Sequence, residues 1–215
     1  MTKKSQDVYQ FLNEKYPNAC CALHFFDDFS CLVSIVLSAQ TTDKAVNNVT
    51  PILFEKFPNS KAMAEANVKE IESIISRLGL AHNKAKNISE LSKEISNKYR
   101  GIIPSTREEL LSLPGVGIKT ANVFLAERRG VACIPVDTHI SRIAKRLRYA
   151  KEDDSVEQIE KKLESSFPKE LPIKLHHQII SFGRDICNAR SPRCEECKLT
   201  AYCKEFKTSR SKVNK

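Results

Sequence analysis

The chain has 215 residues, with 35 Lys and Arg against 26 Asp and Glu and 41% hydrophobic residues, so it holds enough apolar material for a core and is far from a disordered polymer. Its most apolar run, Phe29 to Ala39, is 11 residues long and carries three serines, well short of the roughly 20 apolar residues that a membrane-spanning helix needs. No secretory signal is expected in the opening MTKKSQDVYQFLNEKYP, which makes a cytoplasmic address the expectation.

Only six glycines are present, whereas hairpins and sheet corners consume glycine through positive φ, and the expected fold class is all-α. The helix boundaries follow from punctuation. Asp27 or Asp28 starts a helix at FSCLVSIVLSA, and Thr41 or Thr42 starts another at DKAVNNV, where Pro51 removes a backbone donor and is expected to kink or end it. Val68, Ile71, Ile74, Ile75 and Leu78 keep helical spacing up to Gly79. Pro104-Ser105 precedes TREELLSL, and Ser105-x-x-Glu108 has capping-box spacing. Ile140, Ile143, Ala144 and Leu147 repeat the helical period after Asp137, and KEDDSVEQIEKKLE at 151–164 reads as a solvated amphipathic helix. No run alternates with period two.

Charge is concentrated in two places. Residues 113–148 carry Lys119, Arg128, Arg129, Arg142, Lys145, Arg146 and Arg148 against Glu127 and Asp137, and residues 186–215 hold eight basic residues against three acids. Local basicity of this kind suits a polyanion-binding surface. Inside the first stretch, Leu113-Pro114-Gly115-Val116-Gly117 reads as a tight turn between two helices, the second beginning at about Ile118, burying Ala121, Phe124 and Leu125, and ending near Gly130. Free amides at such a turn and at the positive end of a helix form an anion site that a nucleic-acid phosphate would fill.

The eight cysteines divide in two. Cys20, Cys21, Cys31 and Cys133 are scattered among apolar residues, whereas Cys187, Cys194, Cys197 and Cys203 fall within 17 residues as C-x6-C-x2-C-x5-C. That spacing is too tight for a two-knuckle zinc finger and departs from ferredoxin spacings, so on its own it leaves zinc and a [4Fe–4S] cluster both open.

LPGVGIKTANVFL, then VDTHISRIAKRL with its aspartate 18 residues beyond Lys119, then the cysteine cluster, together resemble the endonuclease III group of the helix-hairpin-helix DNA glycosylases. LSAQTTD at 37–43 and GLAHNKAKNI at 79–88 resemble segments of the same group in the same order, so the likeness spans nearly the whole chain. The resemblance implies a two-lobed all-α fold: a six-helix domain at 21–131 with the helix-hairpin-helix at about 106–129, and a discontinuous domain of 1–20 and 132–215 with the cluster loop at 187–203. It further implies an active-site cleft between the lobes, with Lys119 on one wall and Asp137 on the other.

From position alone, Lys119 reads as a solvent-facing lysine and Asp137 as a helix cap. The resemblance gives them other roles. Lys119 becomes the nucleophile that forms a Schiff base with the opened sugar, its pKa lowered by the helix end and by partial burial, and Asp137 its catalytic carboxylate. It makes Leu80 a wedge and Gln40 a partner for the orphaned base once the target base leaves the duplex, although either residue would also fit an ordinary core or helix-end position. It decides the cysteine question for a [4Fe–4S] cluster. Gly115, Val116, Gly117, His139, Arg142, Arg190 and Arg193 are expected on DNA. The implied reaction is excision of damaged pyrimidines from double-stranded DNA followed by β-elimination at the abasic site, by a monomer of bacterial type associated with the nucleoid. The competitors are the related adenine glycosylase, which normally lacks the lysine and adds a C-terminal domain where this chain ends 12 residues after Cys203, a non-enzymatic hairpin module, and a small electron carrier.

Overall fold

A computed structural model describes residues 1–168, 170 and 172–206; Lys207, Arg210, Lys212 and Lys215 of the second basic stretch lie outside the described residues. The helices are α1 (Lys3–Lys15), α2 (Asp28–Leu37), α3 (Asp43–Lys56), α4 (Ser60–Glu65), α5 (Val68–Ile74), α6 (Ala81–Lys98), α7 (Arg107–Leu111), α8 (Ile118–Arg129), α9 (Thr138–Arg146), α10 (Val156–Ser166) and α11 (Pro172–Asp185). Among the described residues there is no strand, and no helix is long and apolar enough to cross a membrane. The chain divides into two compact units, Cys21–Gly130 and Met1–Cys20 with the chain from Val131 onward.

The Cys21–Gly130 unit is built round α2, which buries every residue from Phe29 to Leu37 and packs against α3, α6 and α8. A helix apolar on all sides belongs in the middle of its neighbours. Asp27 caps it in a reciprocal box with Ser30, and Thr42 caps α3 by accepting from the Ala45 amide at 3.3 Å. Pro51 does not end α3, which runs through it to Lys56, because Pro51 lies on an exposed turn where water can meet the carbonyl left without its helical donor. The helix expected up to Leu78 stops at Ile74. Beyond it the chain tightens into turns (Leu78 amide to Ile75 carbonyl, 2.9 Å) that still bury Ile75 and Leu78.

The expected Ser105–Glu108 box is displaced by one residue: Thr106 caps α7 through the Glu109 amide at 3.3 Å, while the Ser105 hydroxyl accepts from Arg129 Nε at 2.9 Å. Arg128 and Arg129 grip the two oxygens of Asp28, at the start of α2, at 2.6 and 2.7 Å. Both arginines of the α8 terminus are thus used to join α8 to α2.

The second unit packs α11 against α1 and α9, and α10 against α9, with Phe11 and Phe182 edge to face at 5.6 Å. Ser155 caps α10 in a box with Gln158, and Ile159 and Leu163 face inward, as an amphipathic helix requires. Gly183 lets α9 approach α11: a Cβ there would stand 3.0 Å from both His139 Nδ1 and Ile143 Cδ1. Asp185, at the end of α11, accepts from the Tyr16 hydroxyl at 3.0 Å and from Arg193, tying α1 to the loop that carries the cysteines.

Candidate functional site

The hairpin forms as the sequence predicts. α7 ends at Leu111, Gly115 turns the chain at φ +78°, and α8 opens at Ile118 with Gly117 as its cap, burying Ala121, Phe124 and Leu125 before Gly130 ends it at φ +64°. Gly115 needs to be glycine twice over, since a Cβ would also stand 2.9 Å from Asn87 Cβ on α6. Gly117 has ordinary backbone, and nothing lies within 4 Å of the place a Cβ would take. Val116 differs from the expectation for this turn. Its side chain is buried and its amide donates to the Leu113 carbonyl at 3.1 Å, so it offers no free donor to a phosphate. The unpaired amides are those of the first turn of α8, where every helix leaves its N–H groups without internal partners.

Lys119 is the second residue of that turn and is exposed, so the partial burial expected of it is not found. Asp137 caps α9, its Oδ1 accepting from the Ile140 amide at 2.8 Å. Two residues later, half-buried His139 has its Nδ1 3.1 Å from Arg142 Nη2. Burial lowers the pKa of His139, the nearby Arg142 and Arg184 add to this, and Asp137 opposes it.

Gln40 and Leu80 are both exposed, with Leu80 at 58%, and both adopt left-handed backbone, φ 54° and 60°. Leu80 is therefore not a core residue, and Gln40 lies outside α2 and α3. Non-glycine residues pay about 1–2 kcal/mol for this conformation, and neither position carried a signal for it.

The four clustered cysteines line one recess together with Leu147, Phe182 and Ile186, and with Arg146 and Glu205 at the same recess. Among the described residues no three His, Cys, Asp or Glu side chains are placed to hold a metal ion. Burial pushes the Cys197 thiol up to about 11, and the neighbouring cysteines add to the rise. Two donors suit thiolate sulfur: Arg146 Nη1 lies 3.4 Å from Cys187 Sγ, and the Leu199 backbone lowers the Cys197 pKa by hydrogen bonding. Four thiols at one recess, with an N–H group 3.4 Å from one sulfur, are a donor set that fits an iron–sulfur cluster.

The loop itself is held by arginines. Arg142 Nη2 donates to the Gly183 and Cys187 carbonyls, each at 3.0 Å, and Arg146, 8% exposed, donates to those of Asn188 and Ala189 at 2.7 and 3.1 Å. Arg142, expected on DNA, is turned inward, and Arg146 was visible in the sequence only as one charge of a basic stretch. Arg193 is exposed but pairs with Asp185 and Glu196, whereas Arg190 stands exposed.

The model of the HhH-GPD superfamily base excision DNA repair protein matches residues 33–169. Endonuclease III of Bacillus subtilis (strain 168) is 44% identical over 194 residues, covering 90% of this chain and 89% of that protein. A trapped endonuclease III–DNA covalent intermediate, described as an estranged-adenine complex, has a TM-score of 0.91 at 43% identity, covering 97% of this chain and 99% of that one. A non-covalent endonuclease III–DNA complex has a TM-score of 0.92 at 42% identity, covering 98% and 100%. With an all-helical architecture matching theirs over nearly its full length, the chain belongs to the endonuclease III family of the HhH-GPD superfamily of base excision DNA repair proteins, enzymes that act as DNA N-glycosylase and abasic-site lyase.

Proposed function

We propose that this enzyme removes damaged pyrimidines from double-stranded DNA and then cuts the abasic strand through a lysine Schiff base. The observation that carries the reading is the exposed Lys119 in the first turn of α8, directly after the Gly115–Gly117 turn, in a chain similar to a protein caught covalently joined to DNA. The α8 amides and Gly117 receive a phosphate. The Lys119 nitrogen attacks C1′ of the deoxyribose with its lone pair, the N-glycosidic bond breaks, and the base leaves with the bonding electrons and takes up the proton that the attacking nitrogen gives up. The ring opens to a protonated imine on Lys119. Loss of a C2′ proton then expels the 3′ phosphate, and water releases the lysine. Asp137, fixed by its cap bond, supplies negative charge where the sugar becomes cationic. Sodium borohydride should therefore trap the protein on abasic-site DNA, and absence of a covalent adduct would reject the reading. A non-catalytic hairpin module or an electron carrier would form no such adduct.

Cys187, Cys194, Cys197 and Cys203 would hold a [4Fe–4S] cluster, which when bound supplies a cross-link that fixes the loop presenting Arg190 to phosphate. Protein purified without oxygen should contain about four irons per chain and no stoichiometric zinc. One zinc and no iron would overturn the assignment.

Gln40 and Leu80 are proposed to enter the space left by the extruded nucleotide. Leu80→Gly should lower excision from duplex DNA about tenfold more than it lowers cleavage at a preformed abasic site, where no base remains to unstack at a cost of a few kcal/mol. Since glycine accepts φ 60° freely and the leucine is exposed, the melting temperature should hold or rise. Equal losses on both substrates together with a large fall in melting temperature would refute the wedge.

A further inference from the structure

Lys84 lies one turn along α6 from Leu80, its amide donating to the Leu80 carbonyl at 3.0 Å. The residue is only 5% exposed, yet among the described residues no carboxylate pairs with its ammonium. Its Nζ donates instead to Thr41 Oγ1, at 2.5 Å. The Thr41 hydroxyl in turn donates to the Ala39 carbonyl at 3.3 Å, and the Thr41 amide donates to Ser38 at 3.1 Å. These bonds bracket Gln40, whose φ of 54° is a conformation that persists in a non-glycine residue only where the surroundings over-determine it.

Packing does not account for the charge. A methionine would fill the same space without the penalty of burying an unpaired ammonium, and burial does lower the Lys84 pKa. One further turn along α6, Asn87 seats the hairpin residue Gly115, so positions 80, 84 and 87 of a single helix meet the exposed leucine, the Gln40 turn and the hairpin.

We infer that Lys84 is a positioning residue for base extrusion: through Thr41 it locks the turn carrying Gln40 to the helix that begins at Leu80, so that the two side chains enter the duplex as one fixed pair, an inference that rests on the role proposed for Gln40 and Leu80. A loose Gln40 turn would have to be ordered on every encounter with DNA, and that cost would fall on extrusion and not on chemistry at an abasic sugar.

The test uses the holoenzyme with a duplex carrying one oxidised pyrimidine and the same duplex carrying a preformed abasic site. Lys84→Met and Thr41→Val should each lower excision from the first by on the order of tenfold more than cleavage of the second. Lys84→Met should melt no lower than the parent. If it does melt lower, Thr41→Val, a near-isosteric change at a half-buried position, decides the matter. A purely structural lysine would lower both reactions together.

Gln40→Ala supplies the background for the decisive comparison. If Lys84 acts through Gln40, adding Lys84→Met to Gln40→Ala should change excision by less than about twofold, because the single effects do not add when one residue works through another. A full further loss in the double variant, or wild-type excision by Lys84→Met and Thr41→Val while Gln40→Ala is impaired, would overturn the role of Lys84 and leave that of Gln40 standing. Wild-type excision by Gln40→Ala would defeat the role of Gln40 itself, and that of Lys84 with it.

Discussion

Lys119→Ala is expected to abolish borohydride trapping on abasic DNA and to lower base excision by at least about 10³-fold, since one amine is assigned both the attack and the imine. The fold should be untouched. Lys119 is an exposed residue in the first turn of α8, and alanine is the best helix former available there. Lys119→Arg sharpens the result. It keeps the positive charge beside the phosphate-binding turn, so DNA affinity should stay close to that of the parent, but a guanidinium does not deprotonate and cannot become the nucleophile. Trapping by the alanine variant at the parental level would show that another amine does the work.

Asp137→Asn should cut turnover by on the order of 10²–10⁴-fold while leaving melting temperature and DNA binding nearly unchanged. The amide oxygen of asparagine can accept from the Ile140 amide as Oδ1 does now at 2.8 Å, and Asn and Asp cap helices about equally well. Asp137→Ala provides the contrast, because it loses the cap as well, at a cost of about 1 kcal/mol of stability. If turnover followed stability across the three proteins, with the asparagine variant close to normal, Asp137 would be a cap and nothing more. Activity lost equally in both variants, with only the alanine variant destabilised, would separate the carboxylate charge from the helix start.

Helix starts were legible in the sequence wherever the signal is a side chain reaching its own backbone three residues on. Asp137 caps as its type and position suggest, and Asp27 and Thr42 are each one of the two neighbouring candidates that the sequence offered. The hairpin was legible for the same reason, since the turn at Gly115 and the stop at Gly130 are local backbone requirements. Where two neighbours could each cap, locality was not enough. Thr106 rather than Ser105 starts α7, and Ser105 is held instead by Arg129, 24 positions away.

The sequence by itself therefore determined the all-α class, the helix-turn-helix around Gly115 and Gly117, and the grouping of four cysteines, all of which rest on spacings within a few residues. Tertiary structure decided what became of the charges: Arg128 and Arg129 reach Asp28 across about 100 positions, and Arg142 and Arg146 reach the Cys187–Ala189 backbone across more than 40, so residues that count as a basic surface in composition serve as internal brackets. It also decided that Gln40 and Leu80 take left-handed backbone. Nothing in a glutamine or a leucine favours that conformation, and the Lys84–Thr41 bond beside the Gln40 turn joins positions 43 apart and exists only once the helices have packed.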